Sequence, residues 1–187
     1  MTLKHPELPI QVAKKLKDKG YDFVLDMYGS GVEFDKIKLL ANTLNVMDVV
    51  SFKGNIPNDE ILQEMRKHNI FLFTSDRNEG WGAVTNEAMS NGCTFVGSDK
   101  IGAVPFLVKD GENGLIFKSG DVESLTSKVM YLLDHPTECE RMARNAYYTM
   151  RNVWSPKNAA QNFISLCQAL EKNQFNVMFE GPCSVAK

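Results

Sequence analysis

The sequence predicts an α/β protein with a Rossmann-like, doubly wound parallel sheet. Short apolar runs recur along the chain, most of them stop at a glycine, and segments with the apolar spacing of an amphipathic helix lie between them. Strands that alternate with helices of this length form parallel sheets covered by helices on both faces. Ligands of such sheets bind beyond the carboxyl ends of the strands, so the loops that follow the strands are the candidate sites.

Five apolar runs are the predicted strands, and they cover residues 23–28, 49–52, 70–73, 94–97 and 114–117. Helical spacing follows the first run over residues 34–44, and Asn58 is the predicted N-cap of a helix after the second run. From Asp121 onward the pattern is helical, with breaks at Pro136 and at residues 154–156.

The short connections predict one domain over residues 1–172, followed by a tail at residues 173–187. Within the tail, residues 175–181 form an apolar run that ends at a glycine, which is the shape of a strand. One hypothesis is that this run adds a strand to the sheet, either in its own chain or in a strand-swapped dimer. The alternative is a tail that lies loosely on the surface.

Composition excludes several classes of function. The 187 residues carry 21 Lys+Arg and 23 Asp+Glu, so there is no basic excess of the kind that nucleic-acid binding requires. The four cysteines and three histidines are scattered without metal-ligand spacing, and we expect neither a metal site nor a disulfide framework. There is no signal peptide and no apolar run of transmembrane length, which predicts a cytoplasmic protein.

The segment between Glu79 and Glu87 carries the chemistry. It places two carboxylates eight residues apart, across the predicted junction between the loop after the third strand and a helix. Gly80 and Gly82 allow the backbone to turn sharply and to approach a ligand. The first amides of the helix, around Ala83, have no intrahelical acceptor and suit a pyrophosphate.

Carboxylates on both sides of a phosphate site predict a ligand with hydroxyls at both ends of a diphosphate, because ionised carboxylates accept hydrogen bonds from hydroxyls. A nucleoside diphosphate sugar has this chemistry, whereas a mononucleotide would leave one carboxylate without a partner. Glu79 and Glu87 could also be ordinary acidic residues at the start of a helix, where the helix dipole favours them.

Several segments, in this order, resemble the C-terminal, donor-binding domain of family 4 retaining glycosyltransferases of the GT-B fold. The resemblance covers about residues 4–171, and its most specific part is SDRNEGWGAVTNEAMSNGC. The supporting segments are GSG at 29–31, FKGNI at 52–56, VGSD at 96–99, GAVPFLV at 102–108 and DGENGLIF at 110–117. An E-x7-E pattern alone is weak, but between these segments it is specific.

The resemblance implies a role for each residue of the site. It implies that Glu87 binds the ribose hydroxyls and that Glu79 contacts the transferred sugar. The backbone amides that would meet the sugar or the diphosphate are those of Gly82, Ala83 and Val84. It further implies hexosyl transfer from a UDP-sugar or GDP-sugar, as in polysaccharide biosynthesis, with retention of configuration and without a cofactor or metal. No Asp-x-Asp metal motif is found in the sequence.

Other residues are less specific candidates. The resemblance implies that the backbone around Ile56 lies by the base and that Lys4 neutralises the charge of the leaving group. Gly29 and Gly31 are candidates for donor contact, or they only end a strand. Lys4 is equally consistent with a solvated lysine, and Trp81 with a packing residue.

The chain departs from the family pattern in what precedes Lys4. The acceptor-binding N-terminal domain and the strand that should lead to Lys4 are not found in these 187 residues. We therefore expect the isolated chain to bind its donor weakly and to catalyse little, with any peripheral membrane association made only through the missing domain. The alternative function is a non-catalytic module that binds a nucleotide sugar or a carbohydrate.

Overall fold

A computed structural model describes residues 3–174, 178 and 180–185 of the chain. Its strands are β1 Leu25–Tyr28, β2 Val50–Gly54, β3 Ile70–Phe73, β4 Thr94–Ser98 and β5 Leu115–Phe117. Its helices are α1 Glu7–Asp18, α2 Phe34–Thr43, α3 Asn58–Met65, α4 Val84–Ser90, α5 Val104–Leu107, α6 Val122–Asp134, α7 Pro136–Tyr148 and α8 Pro156–Glu171, with a π-helical turn at Thr149–Val153. Strands and helices alternate as predicted, and the α/β class is confirmed.

All paired strands are parallel, and they form two sheets. One sheet has the order β1-β2, with a register irregularity between Met27 and Tyr28, and the other has the order β3-β4-β5. The central strand β4 is buried at all five positions, which is typical of a parallel strand covered by helices on both faces. Within the described ranges, no strand pairs with the second edge of β1 or of β3.

Helix α1 joins the two sheets through its apolar faces. Val12 and Leu16 belong to the core cluster that covers β4 and β5, whereas Ile10 and Ala13 belong to the cluster that covers β1 and β2. All four side chains are almost completely buried. Because this helix contributes to both clusters, its packing helps to set how the loops of the two sheets are placed relative to each other. Contacts of Tyr28 with Glu64, at 3.1 Å, and of Asp26 with His68, at 3.3 Å, act in the same way.

The differences from the sequence prediction lie mainly at the ends of elements. Helix α3 begins at Asn58 itself, after Pro57 at the N-cap, and Asn58 makes no capping hydrogen bond, so the prediction of an Asn58 N-cap is wrong. Pro57, with a ψ of 151°, is the last extended residue, so the helix begins one residue earlier than predicted, with Asn58 as its first residue. The short helix α5 and the π-helical turn were not predicted.

The hypothesis of an added strand at residues 175–181 concerns a segment that lies mostly outside the described residues. Of its described neighbours, Glu180 pairs with Lys109 at 2.8 Å, and the carbonyl oxygen of Pro182 accepts a hydrogen bond from Asn162 Nδ2 at 2.9 Å. The added strand and the swapped dimer remain predictions. Among the helices of the described part of the chain, none is long and apolar enough to cross a membrane.

Two helices begin with an N-cap side chain that accepts hydrogen bonds from backbone amides of the first turn. The Asp121 carboxylate accepts hydrogen bonds from the amides of Glu123 and Ser124, both at 3.0 Å, at the start of α6. The Ser155 hydroxyl accepts one from the amide of Asn158 at 3.2 Å, at the start of α8. Both residues stand where the sequence predicts the helices to begin.

We expect Asp121→Ala to lower the free energy of unfolding by about 1 kcal/mol, because two amides at the start of α6 lose their acceptor. Urea unfolding followed by circular dichroism measures the change. Asp121→Asn is the matched control, since its amide oxygen still accepts from the same amides. Equal losses in the two variants would contradict the capping role.

Candidate active site

The segment after β3 brings the two predicted carboxylates to the carboxyl edge of the second sheet. Glu79 lies in the loop between β3 and α4, and Glu87 lies one turn inside α4. The Glu79 side chain is only 16% exposed. The loop that follows β4 packs directly against this segment. The site is therefore built by two neighbouring loops at the edge where doubly wound sheets bind their ligands.

Lys4 reaches this edge from the other end of the sequence. Its ammonium pairs with Glu79 Oε2, which also accepts a hydrogen bond from Ser75 Oγ at 3.2 Å. The Lys4 ammonium also lies over the ring of Phe73, 5.1 Å from its centroid. The two residues predicted to act on the sugar and on the leaving group are thus in direct contact.

Backbone contacts hold the segment that carries Lys4. The amide of Asp76 donates to the carbonyl oxygen of Leu3 at 2.8 Å, and the Thr74 hydroxyl donates to that of Lys4 at 2.7 Å. Thr74 is buried, so this contact is sheltered from competing water. The backbone position of Lys4 is therefore set by the loop after β3, while its side chain is largely exposed and pairs with Glu79.

The turn into α4 depends on Gly82. Its φ is 78°, and an ideal Cβ at this position would lie 2.7 Å from the edge of the Phe73 ring. Helix α4 then begins at Val84, with Ala83 at the N-cap and the amide of Thr85 bonded to the carbonyl oxygen of Gly82. Within the described part of the chain, the amides of Ala83 and Val84 donate to no acceptor. These amides thus lack an acceptor at the start of α4, and their binding of an anionic ligand remains a prediction.

Two glycines of neighbouring loops meet beside Glu79. An ideal Cβ on Gly102 would lie 1.8 Å from the carbonyl oxygen of Gly80, so only glycine fits at the contact. The amide of Ala103 donates to the carbonyl oxygen of Trp81 at 2.9 Å in the same place. The loop after β4 therefore braces the loop that carries Glu79.

Trp81 is a packing residue rather than a demonstrated binding platform. Its ring packs against Phe106 and Trp154, with centroids 5.6 and 5.9 Å away, and its Nε1 donates to Asn86 Oδ1 at 2.8 Å. The indole still exposes 41% of its surface. Asn86, which joins the loop to α4, was not predicted from the sequence, because a polar side chain five residues after a tryptophan is not a recognised signal.

Glu87 is half-buried in α4. Its carbonyl oxygen accepts a hydrogen bond from Asn91 Nδ2 at 2.8 Å. Its carboxylate forms no ion pair or hydrogen bond with any described residue, so its oxygens are available as acceptors. This differs from Glu79, whose carboxylate is already engaged by Lys4 and Ser75.

The glycines after β1 and the turn after β2 are linked to each other. Gly29 and Gly31 have φ of 126° and 146°, so their backbone conformations favour glycine. The amide of Gly29 donates to the carbonyl oxygen of Gly54 at 2.8 Å, and Asn55 Nδ2 donates to Ser30 Oγ at 2.6 Å. Ile56 is half-buried in the same turn.

No described hydrogen bond or ion pair joins this turn region to Glu79 or Glu87. Donor contacts by Gly29, Gly31 and Ile56 therefore remain predictions.

His5 is a further residue beside the site that sequence reasoning did not single out. Its Nδ1 lies 2.9 Å from Glu7 and its Nε2 lies 3.3 Å from Asp76. The hydrogen bond with Glu7 raises the pKa of His5 above its usual value, and Asp76 acts in the same direction. The backbone amide of Asn78 lowers the pKa of Asp76, with a contribution from His5. The sequence signal that could have indicated His5 is its position directly after Lys4 and two residues before Glu7.

In the described ranges, no group of three or more histidine, cysteine, aspartate or glutamate side chains is placed so that it could hold a metal ion.

Comparison with known proteins finds one family profile and several curated relatives that match the chain. The sequence profile of the family described as "Glycosyl transferases group 1" matches residues 2–149. A curated relative, the poly(glycerol-phosphate) alpha-glucosyltransferase of Bacillus subtilis, is 30% identical over 148 residues, which are 79% of this chain and 21% of that protein. The chain thus spans about a fifth of the length of this relative.

Solved structures share the fold at low identity. A mutant of S. aureus TarM, in a complex with fondaparinux, alpha-GlcNAc-glycerol and UDP, superposes with a TM-score of 0.78 at 22% identity, over 89% of this chain and 33% of that one. The C-terminal domain of a glycosyl transferase group 1 family protein, LpcC from Francisella tularensis, gives a TM-score of 0.72 at 22% identity, over 80% of this chain and 78% of that one. The fold is that of GT-B glycosyltransferases, in agreement with the sequence prediction.

We expect Gly102→Ala to lower the free energy of unfolding by about 1–3 kcal/mol, because the new Cβ overlaps the backbone of Gly80 and forces one loop to move. Urea unfolding measures the loss. Gly80→Ala is the matched control: no atom lies within 4 Å of its ideal Cβ, so a change below about 0.5 kcal/mol is expected. A Gly102→Ala protein as stable as Gly80→Ala would show that the two loops do not meet as described.

Proposed function

Because the chain belongs to the group 1 family of glycosyl transferases, we propose that it is the donor-binding domain of a retaining glycosyltransferase similar to family 4. The observation that carries the proposal is the contact of Lys4 with Glu79 beside the free amides at the start of α4. It joins a cation, a carboxylate and two backbone donors at one edge of the sheet. A nucleoside diphosphate sugar presents the complementary groups, a diphosphate and vicinal hydroxyls.

Each residue has a proposed role in holding the donor. The amides of Ala83 and Val84, together with Gly82, receive the diphosphate or the sugar, helped by the positive end of α4. Glu87, whose carboxylate has no partner among the described residues, accepts the ribose hydroxyls. Glu79 accepts hydroxyls of the transferred sugar. The turn after β2, with Ile56, lies by the base in this proposal.

The proposed chemistry is stabilisation of the leaving group. Transfer of the sugar leaves a nucleoside diphosphate, so negative charge develops on its terminal phosphate. In this proposal Lys4 neutralises that charge, and backbone amides at a helix start add fixed dipoles that need no reorganisation. We propose that the donor is held without a divalent metal, because these groups supply the positive charge that a metal would otherwise provide.

The C-terminal half of a GT-B enzyme is the proposed place of this chain in a larger protein. The solved C-terminal domain of LpcC supports this, since the superposition spans most of that domain, whereas it spans about a third of TarM. In this proposal the acceptor is bound by a second domain, which closes the site from the opposite side.

Binding of a nucleotide sugar tests the proposal directly. We expect UDP-glucose, or another member of a panel of UDP-, GDP- and ADP-linked sugars, to bind the chain in the presence of EDTA. Glu87→Ala should weaken this binding by about tenfold or more, because a carboxylate that accepts from two hydroxyls is lost. Isothermal titration calorimetry measures both.

Glu140→Ala is the matched control, because Glu140 is an exposed glutamate of α7 that pairs only weakly with Arg144, at 3.5 Å. It should bind like the wild type. If no nucleotide sugar binds at about millimolar concentration, or if Glu87→Ala binds as well as the wild type, the proposed site is wrong.

Transfer by the isolated chain should be negligible. Lys4 is 60% exposed and Trp81 is 41% exposed, so the described site is an open surface, and transfer needs donor and acceptor held together away from water. Release of UDP from UDP-glucose, with poly(glycerol phosphate) as the added acceptor, measures it. Rapid sugar transfer by the purified 187-residue chain would overturn the assignment to half of an enzyme.

A further inference from the structure

His5 has a backbone conformation that a side chain makes costly. Its φ is 45°, in the left-handed region that favours glycine, although no glycine stands there. Such a conformation persists only where surrounding contacts impose it, and it is commonly found beside functional sites. His5 directly follows Lys4, and Pro6 alone separates it from Glu7, where α1 begins.

Both ring nitrogens of His5 face carboxylates from different elements. Glu7 approaches Nδ1 from the first turn of α1, and Asp76 approaches Nε2 from the loop after β3. A neutral imidazole carries one N–H and can donate to only one of them, whereas the imidazolium donates to both. The geometry therefore fits the protonated ring, which joins α1 to the loop that carries Glu79.

The same loop binds the backbone on either side of Lys4. The amide of Asp76 reaches the carbonyl oxygen of Leu3, and the Thr74 hydroxyl reaches those of Lys4 and His5, at 2.7 and 3.1 Å. The backbone of Lys4 and of both its neighbours is therefore hydrogen-bonded to the loop after β3. Its side chain points to Glu79, four residues after Ser75 on the same loop.

We propose that His5 is a positioning residue that, in its protonated form, joins Glu7 to Asp76 and thereby holds Lys4 against Glu79 at the donor site. The inference rests on the proposed function, because that function gives Lys4 and Glu79 their roles. His5 acts through Lys4 and does not contact the donor, since both of its ring nitrogens are engaged by carboxylates.

The charge of His5 makes the arrangement dependent on pH. The charged groups that face it are Glu7 of α1 and Asp76 of the loop after β3, with the Lys4–Glu79 pair beside them. The raised pKa of His5 means that the link is complete below about pH 6.5 and is lost as the pH rises through the raised value. The lowered pKa of Asp76 keeps its carboxylate ionised throughout this range.

The affinity of the full chain for UDP-glucose, measured by calorimetry between about pH 6 and pH 8.5, tests the inference. UDP-glucose is chosen because its diphosphate, esterified at both ends, has no ionisation near neutral pH. We expect the wild type to lose affinity roughly 3- to 10-fold as the pH rises. His5→Asn should bind weakly and without this pH dependence. Asparagine is chosen because it tolerates the left-handed conformation better than most residues, which protects folding.

His135→Gln is the matched control. His135 stacks on Tyr131 between α6 and α7, away from Lys4 and Glu79, and should leave the pH profile of the wild type unchanged. A wild-type profile that persists in His5→Asn, or that disappears in His135→Gln, would overturn the inference.

A double-mutant cycle separates positioning from direct contact. If His5 acts through Lys4, adding His5→Asn to Lys4→Ala should change the affinity for UDP-glucose by less than about twofold. Additive losses would mean that His5 acts on the donor itself, and the positioning role would be refuted.

A measurement without nucleotide sugar distinguishes this inference from the proposed function. In NMR titrations of the wild type, the side-chain signals of Lys4 and Glu79 should move with the midpoint of the His5 imidazole, and this movement should be absent from His5→Asn. If the signals move but no nucleotide sugar binds, the proposed function fails and the positioning role stands. If UDP-glucose binds but the signals ignore His5, the positioning role fails alone.

Discussion

Two loops of the chain approach each other at a contact where only glycine fits. Gly102, after β4, lies so close to the carbonyl oxygen of Gly80 that a Cβ would be 1.8 Å from it, and the neighbouring amide of Ala103 bonds to Trp81. The loop that carries Glu79 has glycines at both 80 and 82 and little intrinsic stiffness of its own. Its shape is imposed by the neighbouring loop and by the Phe73 ring, and the start of α4 and the orientation of Glu79 follow from this contact.

The charges of the site come from parts of the chain that are far apart in sequence. Lys4 and Glu79 are separated by 75 positions, and they meet because the loop after β3 binds the backbone of residues 3–5. Ion pairs at a surface contribute little by themselves, so the pair depends on the hydrogen bonds of Thr74 and Asp76 for its position. Those bonds are partly or fully buried, and they hold in place the backbone of a cation that could pair with a diphosphate.

Helix α1 sets the relation between the two halves of the candidate site. The turns after β1 and β2 belong to one sheet, whereas the Glu79–Glu87 segment follows a strand of the other. Among the described residues the sheets share no strand pairing, and α1 packs on both of them. In the proposed donor site, the distance between the turn that carries Ile56 and the amides at Ala83 therefore depends in part on the packing of α1.

The sequence by itself determined the alternation of strands and helices and the helix starts at Asp121 and Pro156, because these depend on local apolar period and capping chemistry. It also singled out the Glu79–Glu87 segment as the candidate site, from its glycines and its two carboxylates. It did not determine the start of α3 at Asn58, the helix α5 or the packing of Trp81, since each depends on neighbours distant in sequence. The tertiary structure alone decided that Lys4 meets Glu79 and that His5 lies between two carboxylates. No local pattern encodes such contacts, because they arise only when the start of the chain lies along the carboxyl edge of the sheet.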